Sequence, residues 1–267
     1  MTIKQLQKRI LSYYKSHGRH DLVWRHTKDP YEILVSEVML QQTQVARVVP
    51  KFEAWLKKFP NVHALANAST AEILKAWVGL GYNNRALRLK ACVQEIISQH
   101  HSKFPKNAEE LEQLPGIGPY TARAITTFAY NKSEIFIETN IRTVILHHFF
   151  REKQKVDDKD LLPYLIKLVD KKNPREFYYA LMDYGAYLKS IHPNPSRKSK
   201  HHQKQSKFEG SFRQKRSTIT KLILAKPRTL SNITKLTKYD KITAVKVLNA
   251  LQKDRLIAKR KSIYSII

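Results

Sequence analysis

The sequence predicts an all-α fold that closes on a small element of three helices and a hairpin. Three observations predict it. Apolar residues in the first 190 positions recur at three- and four-residue spacing, and no stretch there alternates apolar with polar residues as a half-buried strand would. Only seven glycines occur in 267 residues, and four of them fall in two short motifs, Gly79/Gly81 and Gly116/Gly118. Unusual backbone is therefore needed at few places. Around residue 192 the texture turns to Pro, Ser, Lys, Arg, Gln and His, and periodic apolar residues return beyond residue 216.

In chain order, Leu6, Ile10, Leu11 and Tyr14 share one helical face. Asp29-Pro30 opens a strongly apolar helix through Ile33, Leu34, Val38 and Met39, with Asp29 as N-cap and Pro30 at the first position, where no N–H is needed. A helix over 71–77 is stopped by Gly79-Leu80-Gly81, and another runs over 85–100. Cys92 lies on the latter beside Leu89 and Val93 and reads as a small core residue, as Trp55 and Trp77 read as large ones. Residues 192–216 read as a linker or basic arm. Then come a helix through Ile219, Leu222, Ile223 and Leu224, a second over 231–236, and a third over 242–251 with Val245, Val247, Leu248 and Leu251 inward. Leu256-Ile257, the basic turn Lys259-Arg260-Lys261 and residues 263–266 suggest a hairpin. That order is the order of a winged helix-turn-helix. A basic helical cap on the main domain is the alternative. The expected boundaries are 1–190 for the main domain, 191–215 for a basic linker and 216–267 for a winged-helix-like domain.

Charge narrows the function. Forty-nine Lys and Arg against 22 Asp and Glu leave +27, and residues 191–267 alone hold 20 against three. Such self-repulsion usually meets a polyanion. Nucleic acid is the first candidate, because neutralised phosphates release counterions whatever the sequence; a membrane surface or an acidic protein stays open. A single cysteine excludes intrachain disulfides, four-cysteine clusters and zinc ribbons. The pairs His100-His101, His147-His148 and His201-His202 would point about 100° apart on a helix, so no metal site is expected. No apolar run approaches the roughly 20 residues of a membrane span, and the N-terminus lacks a signal-peptide core. A cytoplasmic, nucleoid-associated protein is expected.

Two motifs carry chemistry. Leu114-Pro115-Gly116-Ile117-Gly118, followed by Thr121 and Ala122, lies between helical segments. Its glycines permit a tight hairpin whose backbone N–H groups, beside a helix start, suit a phosphate. An ordinary helix–turn–helix corner is the plainer alternative. In Ser36-Glu37-Val38-Met39-Leu40-Gln41-Gln42-Thr43-Gln44, Glu37 interrupts the apolar part of a helix. Desolvation there would raise its pKa and keep it protonated as an acid. Taken alone, a capped or solvent-facing Glu remains an alternative.

Together with Trp24-Arg25, Pro30-Tyr31, Gly79-Leu80-Gly81-Tyr82, Glu138-Thr139-Asn140 and Met182-Asp183-Tyr184-Gly185, these motifs resemble the adenine DNA glycosylase branch of the helix-hairpin-helix glycosylases over roughly residues 5–190. The resemblance implies a two-lobed all-α glycosylase domain acting on a base turned out of the duplex. It implies that Glu37 protonates the purine, and that Leu40 and Gln42, with Thr43, wedge into the stack near the target strand. Tyr82 falls on a residue inserted beside the opposing base. Arg25 falls in the adenine-pocket region, Asn140 beside the second catalytic position, and Pro115, Gly116, Ile117, Gly118 and Thr121 in the phosphate-gripping hairpin. Asp183 reads as a brace.

Four departures accompany the resemblance. Glu138 stands where the family has an aspartate; it supplies the same charge beside the sugar cation, one methylene further out. Tyr120 stands where bifunctional relatives place a Schiff-base lysine, which implies a monofunctional enzyme. The family's four-cysteine iron–sulfur cluster has no ligands here, so no cofactor is expected, and basic residues over 197–215 are candidates for its phosphate grip. Residues 191–267 are too few for the family's C-terminal Nudix-like reader of 8-oxoguanine. The expectation is a monomeric base-excision-repair glycosylase acting on double-stranded DNA with a mismatch or damaged base, with adenine opposite 8-oxoguanine or guanine as substrate. A different mismatch or lesion, or a non-catalytic DNA damage or structure sensor, are the alternatives.

Overall fold

The computed structural model describes residues 1–202 and 207–267. Among them the chain is helical apart from one small sheet. In order come α1 (Ile3–His17), α2 (Pro30–Leu40), α3 (Val45–Lys58), α4 (Val62–Asn67), α5 (Thr70–Trp77), α6 (Asn84–His100) and α7 (Ala108–Gln113). There follow α8 (Pro119–Tyr130), α9 (Thr139–Phe149), α10 (Asp158–Leu168), α11 (Pro174–Ile191) and α12 (Phe212–Ala225). The C-terminal part is completed by β1 (Arg228–Thr229), α13 (Leu230–Thr237), α14 (Lys241–Lys253), β2 (Ile257–Arg260) and β3 (Ile263–Ile266). No described helix is long and apolar enough to cross a membrane.

The chain forms two compact units that interleave in sequence: Met1–Glu37 with Phe104–Lys204, and Val38–Lys103 with Gln205–Ile267. This differs from the expected division at 190 and 216. In the first unit α9 packs on α11, and α1 packs on α11 and α10. Leu6 and Ile10 of α1 are fully buried, as are Ile141, Val144 and Ile145 of α9. At Gly185 a side chain would collide with the Asn140 carbonyl, so glycine is what lets α11 lie against the start of α9.

Much of the expected linker is built into this unit. A 3-10 turn, Pro195–Lys198, is capped by Asn194, and Pro195 and Ser196 are buried. Val156 N–H donates to Lys198 O and Lys200 N–H to Val156 O, both at 2.9 Å. Backbone pairing and a proline turn order a stretch whose composition reads as loop. Residues 203–206, also within the expected linker, lie outside the described residues.

The second unit joins α3–α6 to the C-terminal segment through one core. Leu74 of α5 is buried together with Ile219, Ile223, Ile233, Val247, Leu248, Leu251 and Leu256, and Leu87 of α6 packs against them. The segment runs helix, strand, helix, helix, strand, strand, with sheet order β1-β3-β2 and both pairings antiparallel. This is a winged-helix topology. Its first helix begins at Phe212, capped by Ser211, earlier than the expected 216.

Candidate active site

Helix α2 is apolar around most of its surface: Ile33, Leu34, Val35, Val38 and Met39 are at most 5% exposed. Asp29 Oδ1 accepts from Tyr31 N–H at 2.8 Å, which starts the helix as the Asp29-Pro30 pair predicts. Glu37 sits in this apolar run and is 8% exposed. The Tyr120 phenol donates to Glu37 Oε2 at 3.0 Å. Burial pushes the Glu37 carboxyl up to about 7, the bond from Tyr120 pulls it back, and the charge of Glu138 pushes it up again. A carboxyl balanced there is half protonated at neutral pH and can both give and take a proton.

The hairpin places Tyr120. Leu114 and Ile117 are buried anchors, Ile117 N–H closes the turn on Leu114 O at 3.1 Å, and Gly116 adopts φ +80. Gly118 then caps α8 with no side-chain bond, and Pro119 occupies its first turn. Tyr120 follows, its ring edge-on to Phe136 at 5.6 Å, and Phe136 stacks on Tyr178 at 4.0 Å. The short loop that can offer backbone N–H groups to an anion thus also fixes the phenol against Glu37. Thr121, on the next residue, is buried, and Pro115 is half-buried.

Glu138 is the N-cap of α9. Its carboxylate accepts from Asn140 N–H at 2.7 Å, Ile141 N–H at 2.8 Å and Asn140 Nδ2 at 3.2 Å. Burial raises its pKa; the two backbone donors, then Lys189 and Arg142, oppose that. Asn140 therefore orients Glu138. Lys189, half-buried one helical turn beyond Gly185, escaped the sequence reading. Burial lowers its pKa while the Glu138 charge holds it up. Its signal was faint: one lysine near the end of a helix, meaningful only once Gly185 seats that face on α9.

Arg25 is held by Asp183. Its guanidinium donates to both Asp183 oxygens at 2.7 and 2.8 Å and to Arg19 O at 3.1 Å. It also lies 4.7 Å from the Tyr179 ring. Asp183 is 3% exposed and further accepts from the Arg19 backbone N–H and Nε. Burial would raise the Asp183 pKa, but the bonds and charge of Arg25, then Arg19, bring it below the usual value. Asp183 is the brace the sequence suggested, and Arg25 is its partner. The Tyr179 phenol feels the charges of both Glu37 and Arg25.

In the second unit, α2 ends at Leu40, which is half-buried. Gln42 is exposed in the left-handed region at φ +55, and Tyr82 is 44% exposed at φ +47. Arg85 holds both turns. Its Nη1 donates to the carbonyls of Val38, Met39 and Gln41 at 2.6, 3.1 and 2.6 Å. Its Nη2 donates to Thr43 Oγ1, Leu80 O and Gly81 O at 3.2, 3.0 and 3.2 Å. Thr43 thus belongs to this clasp. Trp77 Nε1 adds a bond to Gly81 O at 2.9 Å. Desolvation lowers the guanidinium to about 10, so it stays charged at neutral pH. Nothing in the sequence singled out Arg85; its acceptors lie on turns about forty residues apart.

A family model described as the HhH-GPD superfamily of base excision DNA repair proteins matches residues 35–170. The chain belongs to that superfamily. It is 42% identical over 181 residues to an adenine DNA glycosylase of Mycolicibacterium smegmatis, covering 66% of this chain and 61% of the relative. It is 34% identical over 189 residues to the adenine DNA glycosylase of Homo sapiens, covering 66% of this chain and 34% of that one. The chain therefore spans about three-fifths or less of these relatives. Among solved structures, a thermostable thymine-DNA glycosylase superposes with a TM-score of 0.63 at 28% identity, covering 74% of this chain and 90% of that one. A non-covalent endonuclease III–DNA complex gives a TM-score of 0.58 at 21% identity, covering 70% and 87%, and supports the fold alone.

The iron–sulfur cluster implied by the resemblance does not fit this chain. The one cysteine, Cys92, is fully buried in α6, and burial pushes its thiol up to about 12. Residues 187–200, where the ligands would lie, hold no cysteine. The 3-10 turn and the Val156–Ser199 bridge occupy that place.

Proposed function

We propose that this protein is a monofunctional DNA glycosylase that removes adenine mispaired with 8-oxoguanine or guanine from double-stranded DNA. The observation that carries the reading is the buried Glu37 carboxyl, raised to about 7 and bonded to Tyr120. With the base turned out of the duplex, Glu37 donates its proton to a purine ring nitrogen. The C–N glycosidic bond breaks, the electron pair leaves with the protonated base, and the sugar becomes an oxocarbenium ion. The Glu138 carboxylate, fixed by Asn140 and the start of α9, faces that cation. Water adds to the sugar carbon and gives its proton to a carboxylate, leaving an abasic site.

Leu40, Gln42, Thr43 and Tyr82 contact the duplex around the vacated position. The hairpin Pro115–Gly118, with Thr121, grips phosphate. The Tyr120 phenol carries no amine and makes no Schiff base, so the strand stays intact. The protein works as a monomer with no cofactor. A sensor without chemistry would have no use for a desolvated carboxyl, whereas an acid needs one.

The test is base release from labelled duplexes, with alkali to reveal abasic sites. Adenine is placed opposite 8-oxoguanine, guanine and cytosine, with thymine and uracil mismatches beside them. Release of adenine that depends on Glu37 is expected. Tight binding with no abasic product on any duplex would replace the enzyme by a sensor. Release of another base would keep the chemistry and change the substrate. Borohydride trapping in high yield would contradict the monofunctional assignment.

A further inference from the structure

The C-terminal segment has no part in the chemistry just described, yet it carries much of the charge. Residues 211–267 hold fifteen Lys and Arg against two Asp. Both acids are engaged within the segment. Asp240 caps α14 by accepting from Thr243 N–H, and Asp254 pairs with Arg216. The remaining charge of the segment is cationic.

Helix α14 is two-faced. Ala244, Val247, Leu248 and Leu251 are fully buried in the core shared with α5. Ile242, Lys246, Asn249 and Lys253 are exposed, at spacings of four, three and four residues, and so form one stripe along the helix. Ile242 is 83% exposed at the second position of the helix. An isoleucine there is poor as surface and useful as a contact. The end of β2 and the turn after it present Lys259, Arg260 and Lys261, all exposed, with Lys261 left-handed at φ +53.

We propose that this segment is a second binding surface for duplex DNA, with α14 in the major groove and the β2–β3 turn on the phosphate backbone. The chemistry of the stripe suits that groove. Asn can pair with an adenine edge, isoleucine can lie on a thymine methyl, and the two lysines reach guanine edges or phosphates. A cationic tip beside a recognition helix suits the adjacent backbone. The shared core with Leu74 fixes the segment to α5. In addition Arg213 at the start of α12 donates to the Tyr82 hydroxyl at 3.1 Å. The surface is thus held in one place within its unit rather than trailing on a tether.

The experiment measures affinity of the full chain for an undamaged duplex of about 30 base pairs against salt concentration. The triple variant Lys246→Ala/Lys259→Ala/Lys261→Ala is compared with the parent and with Lys4→Ala/Lys8→Ala/Lys15→Ala, which removes the same charge from exposed positions on α1. Loss of three phosphate contacts lowers the slope of log affinity against log salt by about 2.7. That reduction, absent from the α1 control, is the expected result. Hydroxyl-radical footprints should shorten with the same variant. Ile242→Ala, at a side chain too exposed to affect folding, should weaken binding about threefold to tenfold and reduce preference among duplex sequences. Equal effects of the two triple variants, or an unchanged slope and footprint, would overturn the proposal.

Discussion

Glu37 and Arg85 are both charged groups withdrawn from water, and they are treated in opposite ways. Arg85 is surrounded by five carbonyl oxygens and a hydroxyl, and although desolvation lowers it to about 10 it keeps its charge. Glu37 lies among apolar side chains, with a phenol as donor and a second carboxylate whose charge it feels. Its six acceptors make Arg85 a clasp for two turns. A shortage of donors leaves the Glu37 carboxyl raised to about 7, where a proton can be given near neutral pH. Desolvation disfavours both charges, but the guanidinium starts far above neutrality and stays charged, whereas the carboxyl is brought to about 7.

The largest expected effect follows from that shortage. Glu37→Gln should cut base release by about a thousandfold, within the range for loss of a general acid. The same change should stabilise the protein at alkaline pH. The folded pKa lies above the unfolded one, so ionisation opposes folding as pH rises from about 4.5 through 7. The gain at pH 8 is on the order of 3 kcal/mol and should be absent at pH 4. Thermal melts of both proteins at the two pH values test it; equal melting temperatures at pH 8 would mean that Glu37 is not strained. Glu138→Gln should slow release by about a hundredfold, the scale of one lost electrostatic stabiliser, with little loss of DNA affinity; single-turnover rates and binding separate the two.

On the other side of the comparison, Arg85→Met should destabilise the protein by about 2–4 kcal/mol, because several carbonyls lose a charged donor at once. Urea unfolding measures this. A change under 1 kcal/mol would show that the turns hold themselves. The smallest effect should come from Tyr120→Phe. Removing the donor that favours ionised Glu37 moves its pKa above 7, so the alkaline fall in release shifts to higher pH while the rate on the plateau changes only a few-fold. A shift downward would contradict the bond.

The sequence disclosed what depends on neighbours along the chain. Glu37 stands out because residues within one turn are apolar, and Gly116 because a short hairpin needs a positive φ. The helices of the winged segment are visible for the same reason. What could not be read depends on contacts between distant residues. Arg25 meets Asp183 across 158 positions, a pairing that no local pattern announces. Leu74 joins the C-terminal core only after folding, so the union of residues 38–103 with the C-terminal segment in one unit was not visible. The turn at Pro195–Lys198 looks like linker because its order comes from backbone bonds to Val156, which leave no mark in composition.

The most direct measurement is the pH dependence of adenine release at sub-saturating protein, which reports the ionisations of the free enzyme. Adenine is placed opposite 8-oxoguanine, and the parent is followed from pH 5 to 9. A decline with a midpoint near 7, falling tenfold per pH unit above it, is the predicted result. A rate flat across that range, or one that rises with pH, would contradict Glu37 as the acid.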